Sequence, residues 1–202
     1  MNKTKKESAG PRQSKREQLR AERRRRSFIW NAIVLGGLAA LVIAVVAYMV
    51  ANARPGPLPG EQVIPNEGAG HVDDGTPITF QHYPPSSGTH FQSAAAWGVY
   101  TEPIPEGTFV HNLEHGGVVF LYTCPETCPE LEQQFKDLYD SAPPDSTFNE
   151  RKILVTPYEA EKMPAPVVAL AWGYELDLEA FDADLLLRWY RRFVNRGPEL
   201  VR

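Results

Sequence analysis

Between positions 28 and 51 the chain reads FIWNAIVLGGLAALVIAVVAYMVA, with no charge and one strongly polar side chain, Asn31. Twenty-odd apolar residues at ~1.5 Å rise per residue cover the ~30 Å hydrocarbon core of a bilayer. Trp30 and Tyr48 fall near the two ends of the run, where amphipathic aromatic rings favour the membrane interface. The sequence RRRR at 23–26 abuts its start. The positive-inside rule then predicts a cytoplasmic N-terminus, a transmembrane helix over 28–51, and residues 52–202 outside the cytoplasm. Two cleavable alternatives compete. RRSFI at 25–29 resembles a twin-arginine export signal, and Ala51-Asn52-Ala53 resembles a peptidase site. The run is longer than a signal-peptide core, which favours an uncleaved single-pass anchor, with the lipid bilayer as the first expected partner.

This feature also divides the charge. Residues 1–27 hold eleven Lys/Arg against three Glu, leaving ten basic and 22 acidic residues for everything that follows. The basic arm is expected on the cytoplasmic side, mostly without fixed structure. The acidic remainder would repel phosphates and argues against nucleic acid as a partner. Residues 52–70 are rich in Pro and Gly and read as a linker. Residues 71–202 have the length of one globular domain.

Within that domain the first third is too rich in turn residues for a long helix. Residues 98–101 suit a short edge strand. GVVFLYT at 117–123 is a buried strand by its unbroken apolar run. The segment 129–139 is a helix: Pro129 suits the first helical position, and Leu131, Phe135 and Leu138 repeat with helical period. KILVTP at 152–157 and VVALAW at 167–172 read as strands. An amphipathic helix spans 183–194, with Asp182 or Asp184 as its cap and Gly197-Pro198 beyond its end. The expected class is α+β, a small mixed sheet with two packed helices and a loop-rich first third.

The candidate chemistry lies in histidine and cysteine. All five histidines, His71, His82, His90, His111 and His115, fall within 45 consecutive positions. His111 and His115 are spaced i, i+4. In a strand their Cα atoms would stand ~13 Å apart, so only a helical turn brings both rings to one ion. The pair Gly116-Gly117 suits a helix stop. Glu114 lies between them as an acceptor able to orient a ligating ring. His82 and His90 flank the bend PPSSG, which can make them converge. A metal centre, copper before zinc, is expected from His90, His111 and His115, with His82 as a further donor. Histidines that merely satisfy backbone carbonyls are the plain alternative.

Cys124 and Cys128 sit between the buried strand and the helix at 129. A cysteine at a helix start favours the thiolate, which binds soft metals and attacks disulfides. Outside the cytoplasm the two can equally form a structural disulfide. Three roles stay open: a second metal donor set, a thiol–disulfide oxidoreductase site, or a staple. No GxSxG, phosphate loop or acid pair marks another enzyme class, no catalytic residue is assigned, and whether the chain is an enzyme is left open. A structural or interaction module of the cell envelope is the remaining alternative.

Two resemblances follow from these strings. YTCPETCPELEQQF at 122–135 is locally similar to the CxxxCP segment of Sco-type copper chaperones, which are thioredoxin-fold proteins. That likeness implies copper at the cysteines with a distant histidine. PPSSGTH at 84–90, WGVY at 97–100, VHNLEHGGV at 110–118, AWG at 171–173 and NRGPE at 195–199 resemble a bacterial family of membrane-anchored proteins known as domain of unknown function 3105. This chain has Thr89 where many members have Pro. That resemblance implies an N-terminal anchor and no particular activity.

Overall fold

A computed structural model describes residues 11–51, 53, 55–124 and 127–201. The first ten residues of the basic arm, Asn52 of the candidate peptidase site, and Pro125 and Glu126 of the cysteine loop lie outside the described residues. The chain forms two compact units, Met1–Ala53 and Arg54–Arg202.

The first unit is one helix, α1 (Pro11–Ala51), 41 residues long. The helix begins well inside the basic arm and continues without a break through the apolar run. Its span Lys15–Val50 is long and apolar enough to cross a membrane, and none of its most apolar window is buried. Phe28, Leu35 and Val50 are each at least 65% exposed.

The second unit is α+β. Its elements are β1 (Gln62–Val63), β2 (His71–Val72), β3 (His90–Phe91), β4 (Gly98–Val99), α2 (Glu106–Glu114), β5 (Val118–Tyr122), α3 (Pro129–Ser141), β6 (Ile153–Pro157), a 3-10 turn at Ala160–Lys162, β7 (Val167–Ala171), β8 (Tyr174–Leu178) and α4 (Ala183–Phe193). Six strands form a mixed sheet in the order β1-β8-β7-β5-β6-β4. β4, β6 and β5 run parallel, and β7, β8 and β1 alternate in direction.

β5 lies at the centre because both of its faces are apolar. Val118, Phe120 and Tyr122 point into one core with Phe135 and Leu138 of α3 and Leu186, Trp189, Tyr190 and Phe193 of α4. Val119 and Leu121 point into the other, with Phe109, Val110 and Leu113 of α2. All five side chains of β5 are fully buried, which explains an apolar run without the polar alternation of a one-sided strand. Helix α4 starts where Asp182 accepts a hydrogen bond from the Leu185 N–H, so of the two expected caps Asp182 takes the role.

Residues 55–70 differ from the expected linker. β1 pairs with β8, Leu58 and Ile64 are buried, and Arg192 donates two hydrogen bonds to Glu61. Widely spaced apolar residues dock this segment on the sheet edge, and the Pro/Gly density around them hides the pattern. β8 likewise lacks the apolar run of the other central strands: YELDL carries two acids, and one of them, Glu175, is buried.

Candidate metal centre

Two short pieces of backbone bring four polar side chains to one point. β2 and β3 pair in parallel with His71 opposite His90. The ladder continues outward through Gly88 N–H to Gly68 O, His90 N–H to Gly70 O and Gln92 N–H to Val72 O. Two residues 19 apart in sequence therefore stand side by side.

α2 packs against β3 and supplies the rest. The last turn of α2 carries His111 and Glu114, and His115 is its C-cap. Positions three and four apart share a helix face: His111 and Glu114 reach β3, and His115 lies beside His111. Gly116 has φ of +74°, its N–H reaches Leu113 O, and the Gly117 N–H reaches Asn112 O. This is a Schellman stop, which needs a left-handed residue just after the cap. The helical turn expected for the histidine pair is present, as the end of a longer helix.

The resulting set is His71, His90, His111 and Glu114, whose ligand atoms all lie within 4.8 Å of one another. His90 Nε2 is 2.9 Å from Glu114 Oε2 and 3.1 Å from His71 Nε2. His71 Nε2 is 3.3 Å from the same carboxylate oxygen. Ligands at about 2.0–2.1 Å around a tetrahedral ion are separated by roughly 3.3 Å, so these spacings fit a single first-row cation. Three of the four are deep, with His90 0%, Glu114 2% and His111 7% exposed, and His71 closes the set from the surface.

The backbone fixes which nitrogens face inward. His90 Nδ1 donates to Gly88 O at 2.8 Å, and His111 Nδ1 donates to Phe91 O at 2.8 Å. A carbonyl only accepts, so each Nδ1 must carry the proton. With Nδ1 so engaged, Nε2 is the nitrogen each ring turns to the centre, the arrangement that backbone acceptors impose on ligating histidines. For His90 that nitrogen meets a buried carboxylate. Two acceptors at that distance repel unless a cation, proton or metal, lies between them. Burial also holds the His111 imidazole below its ordinary range, with the bond to Phe91 O opposing and the neighbouring His90 and His71 adding to the effect. His115 is lowered too, first by burial and then by His111. Lowered imidazoles are unprotonated at neutral pH, the form that binds metals.

The other candidate residues fall in different places. His115 Nε2 is 2.9 Å from His111 Nε2 and groups with Glu114 and Glu199. His82 lies apart from the cluster, 2.7 Å from Glu175 Oε2. Burial raises the Glu175 carboxyl and the bond from His82 opposes that rise. Cys124 and Cys128 are joined in a disulfide, and Cys128 is the N-cap of α3. His115 precedes β5 and Cys124 follows it. Five strand residues at about 3.3 Å each separate the two, so the cysteines do not share the histidine centre. Glu114, expected to orient a ring, is placed to ligate directly. His71 and Glu199 join the candidate donors only through the fold. The only hints in the sequence were the crowding of five histidines for one and the family-like NRGPE string for the other.

Three of the strings that resemble domain of unknown function 3105, WGVY, VHNLEHGGV and NRGPE, pack around this cluster. Asn112 exchanges two hydrogen bonds with the Ala95 backbone, which holds the loop before β4. Gly117 gives room to Trp97, whose ring stands where a Cβ would be. Asn195 N–H donates to Gly116 O and Glu199 N–H to Glu114 O. A Cβ on Gly197 would come 2.0 Å from Glu114 O, so only glycine lets the C-terminal strap close on the helix end.

A comparison with curated proteins and one with solved structures each return no match, so the local likeness to Sco-type chaperones gains no support. The profile of one family does match, over residues 71–201, the region that holds every string above. The chain belongs to that family, described as protein of unknown function (DUF3105).

Proposed function

We propose that this protein is a single-pass, membrane-anchored metal-binding domain. α1 holds it in the lipid bilayer, and His71, His90, His111 and Glu114 hold one divalent transition-metal ion outside the cytoplasm. The observation that carries the reading is the convergence of three Nε2 atoms and one buried carboxylate oxygen, with two of the rings locked by backbone carbonyls. Three imidazoles and a carboxylate suit Zn(II) or Cu(II). Cu(I) prefers thiolates, and both cysteines are tied up in the disulfide.

The test uses the full chain in detergent micelles, dialysed against Zn(II) or Cu(II) and then against metal-free buffer. Retained metal in the wild type, and its loss in His90→Ala and His111→Ala, support the reading. Wild-type protein that keeps no metal overturns it. The anchor and its orientation are tested separately, by carbonate extraction of membranes and by protease access from either side. The charge run at 23–26 favours a cytoplasmic N-terminus.

A further inference from the structure

Beside the buried set lies a second group of donors. Glu114, His115 and Glu199 offer ligand atoms within 4.8 Å of one another. The strap carrying Glu199 is fixed in place by several contacts. Its backbone is bonded to Gly116 and Glu114, and Gly197 packs without a side chain against the helix end. Lys152, fully buried, donates through Nζ to both His115 O and Val201 O, tying helix cap and strap to β6 from below.

This scaffolding leaves Glu199 Oε2 3.8 Å from His115 Nε2. His111 and His115 present their Nε2 atoms 2.9 Å apart from successive turns of one helix. His111 belongs with the buried donors and His115 with the strap, and Glu114 belongs to both. From this shared carboxylate we infer that the centre takes two cations, one in each group, with Glu114 bridging them. This rests on the proposed metal-binding reading and extends it.

The two sites differ in kind. The first has four protein donors, three of them buried. The second has three, with side-chain exposures of 18% for His115 and 47% for Glu199. Three protein donors leave a coordination position open to water or to an anionic ligand. Paired ions in such centres stand about 3.5–4 Å apart, within reach of one bridging carboxylate. The outer ion therefore binds more weakly, exchanges faster and faces solvent.

The experiment is a Zn(II) titration of the full chain in micelles, with bound metal counted by native mass spectrometry. Two equivalents are expected in the wild type, the second released first on dilution. Glu199→Gln and His115→Asn should each bind one. Thermal melting of the metal-free variants at the wild-type temperature shows that the fold is kept, and the partly exposed Glu199 makes its variant the safer of the two. A wild type that saturates at one equivalent overturns the second site and leaves the first standing, as does a pair of variants that still bind two. A wild type that binds none overturns both.

Discussion

Nε2 of His90 and Oε2 of Glu114 lie 2.9 Å apart in a region where neither side chain is more than 3% exposed. A buried carboxylate is costly without a cation beside it, and the bond from His90 Nδ1 to Gly88 O decides which ring nitrogen faces it.

Removing one partner should therefore cost more than removing both. In metal-free protein, His90→Ala should lose about 1–3 kcal/mol, the usual cost of taking a hydrogen-bond partner from a buried acceptor, because His71 still stands 3.3 Å from the carboxylate. His90→Ala combined with Glu114→Ala should be less destabilised than the sum of the single variants. Urea unfolding of the four proteins checks this, and additive losses would show that the two groups are not coupled.

The centre's pH dependence has a definite sign. His111 and His115 are lowered from 6.5 in the folded protein, first by burial. The folded state then binds fewer protons than the unfolded state as pH falls through 6.5. Stability of the metal-free protein should be fully present above 6.5 and fall as the pH drops toward the folded values. Zn(II) affinity should hold down to a lower pH than for a free imidazole, because protons compete less well at these rings. Melting temperatures and competitive chelation across pH 5 to 8 measure both.

A second acid-sensitive feature lies away from this cluster. Asp145 is buried, which alone would raise it. Bonds from the N–H groups of Phe148, Glu150 and Thr147 and from Asn195 Nδ2 outweigh that and hold it below its ordinary value of 3.8. Its contribution is present above the unfolded value and is lost as pH falls through the folded one. Asp145→Asn should destabilise at neutral pH and flatten the acid limb of a stability–pH curve. Because Asn195 also holds the strap, the same variant should loosen protection of residues 195–199 in hydrogen exchange.

The disulfide should act on stability alone. Cys124 packs against the core on the α3 and α4 face, whereas α2 carries the candidate donors on the other. Closing so short a loop is worth about 2 kcal/mol by the chain-entropy estimate. A Cys124→Ser, Cys128→Ser double variant should melt lower and retain its metal. Loss of metal in that variant would contradict the separation of the two features.

Much of this fold could be read from the sequence because its signals are local. The apolar run VVFLY, the Pro129 helix start and the period of α4 each lie within a dozen residues. The turn joining His111 to His115 was also local, since i, i+4 spacing before a glycine pair allows only one chelating conformation. What could not be read depends on long-range pairing. His71 becomes a candidate ligand only through its register with His90 across two-residue strands, and Glu199 only through the strap on Gly116. His82 has the same chemistry and a neighbouring position, yet the fold gives it to Glu175, a residue 93 positions away. Crowding in sequence pointed to a histidine cluster without saying which rings meet.

The most direct test of the central claim is zinc-edge X-ray absorption on the full chain loaded with one equivalent of Zn(II). The account predicts only nitrogen and oxygen neighbours at about 2.0–2.2 Å, with the outer-shell scattering of imidazole rings. A sulfur neighbour at about 2.3 Å, or a spectrum without imidazole scattering, would contradict it.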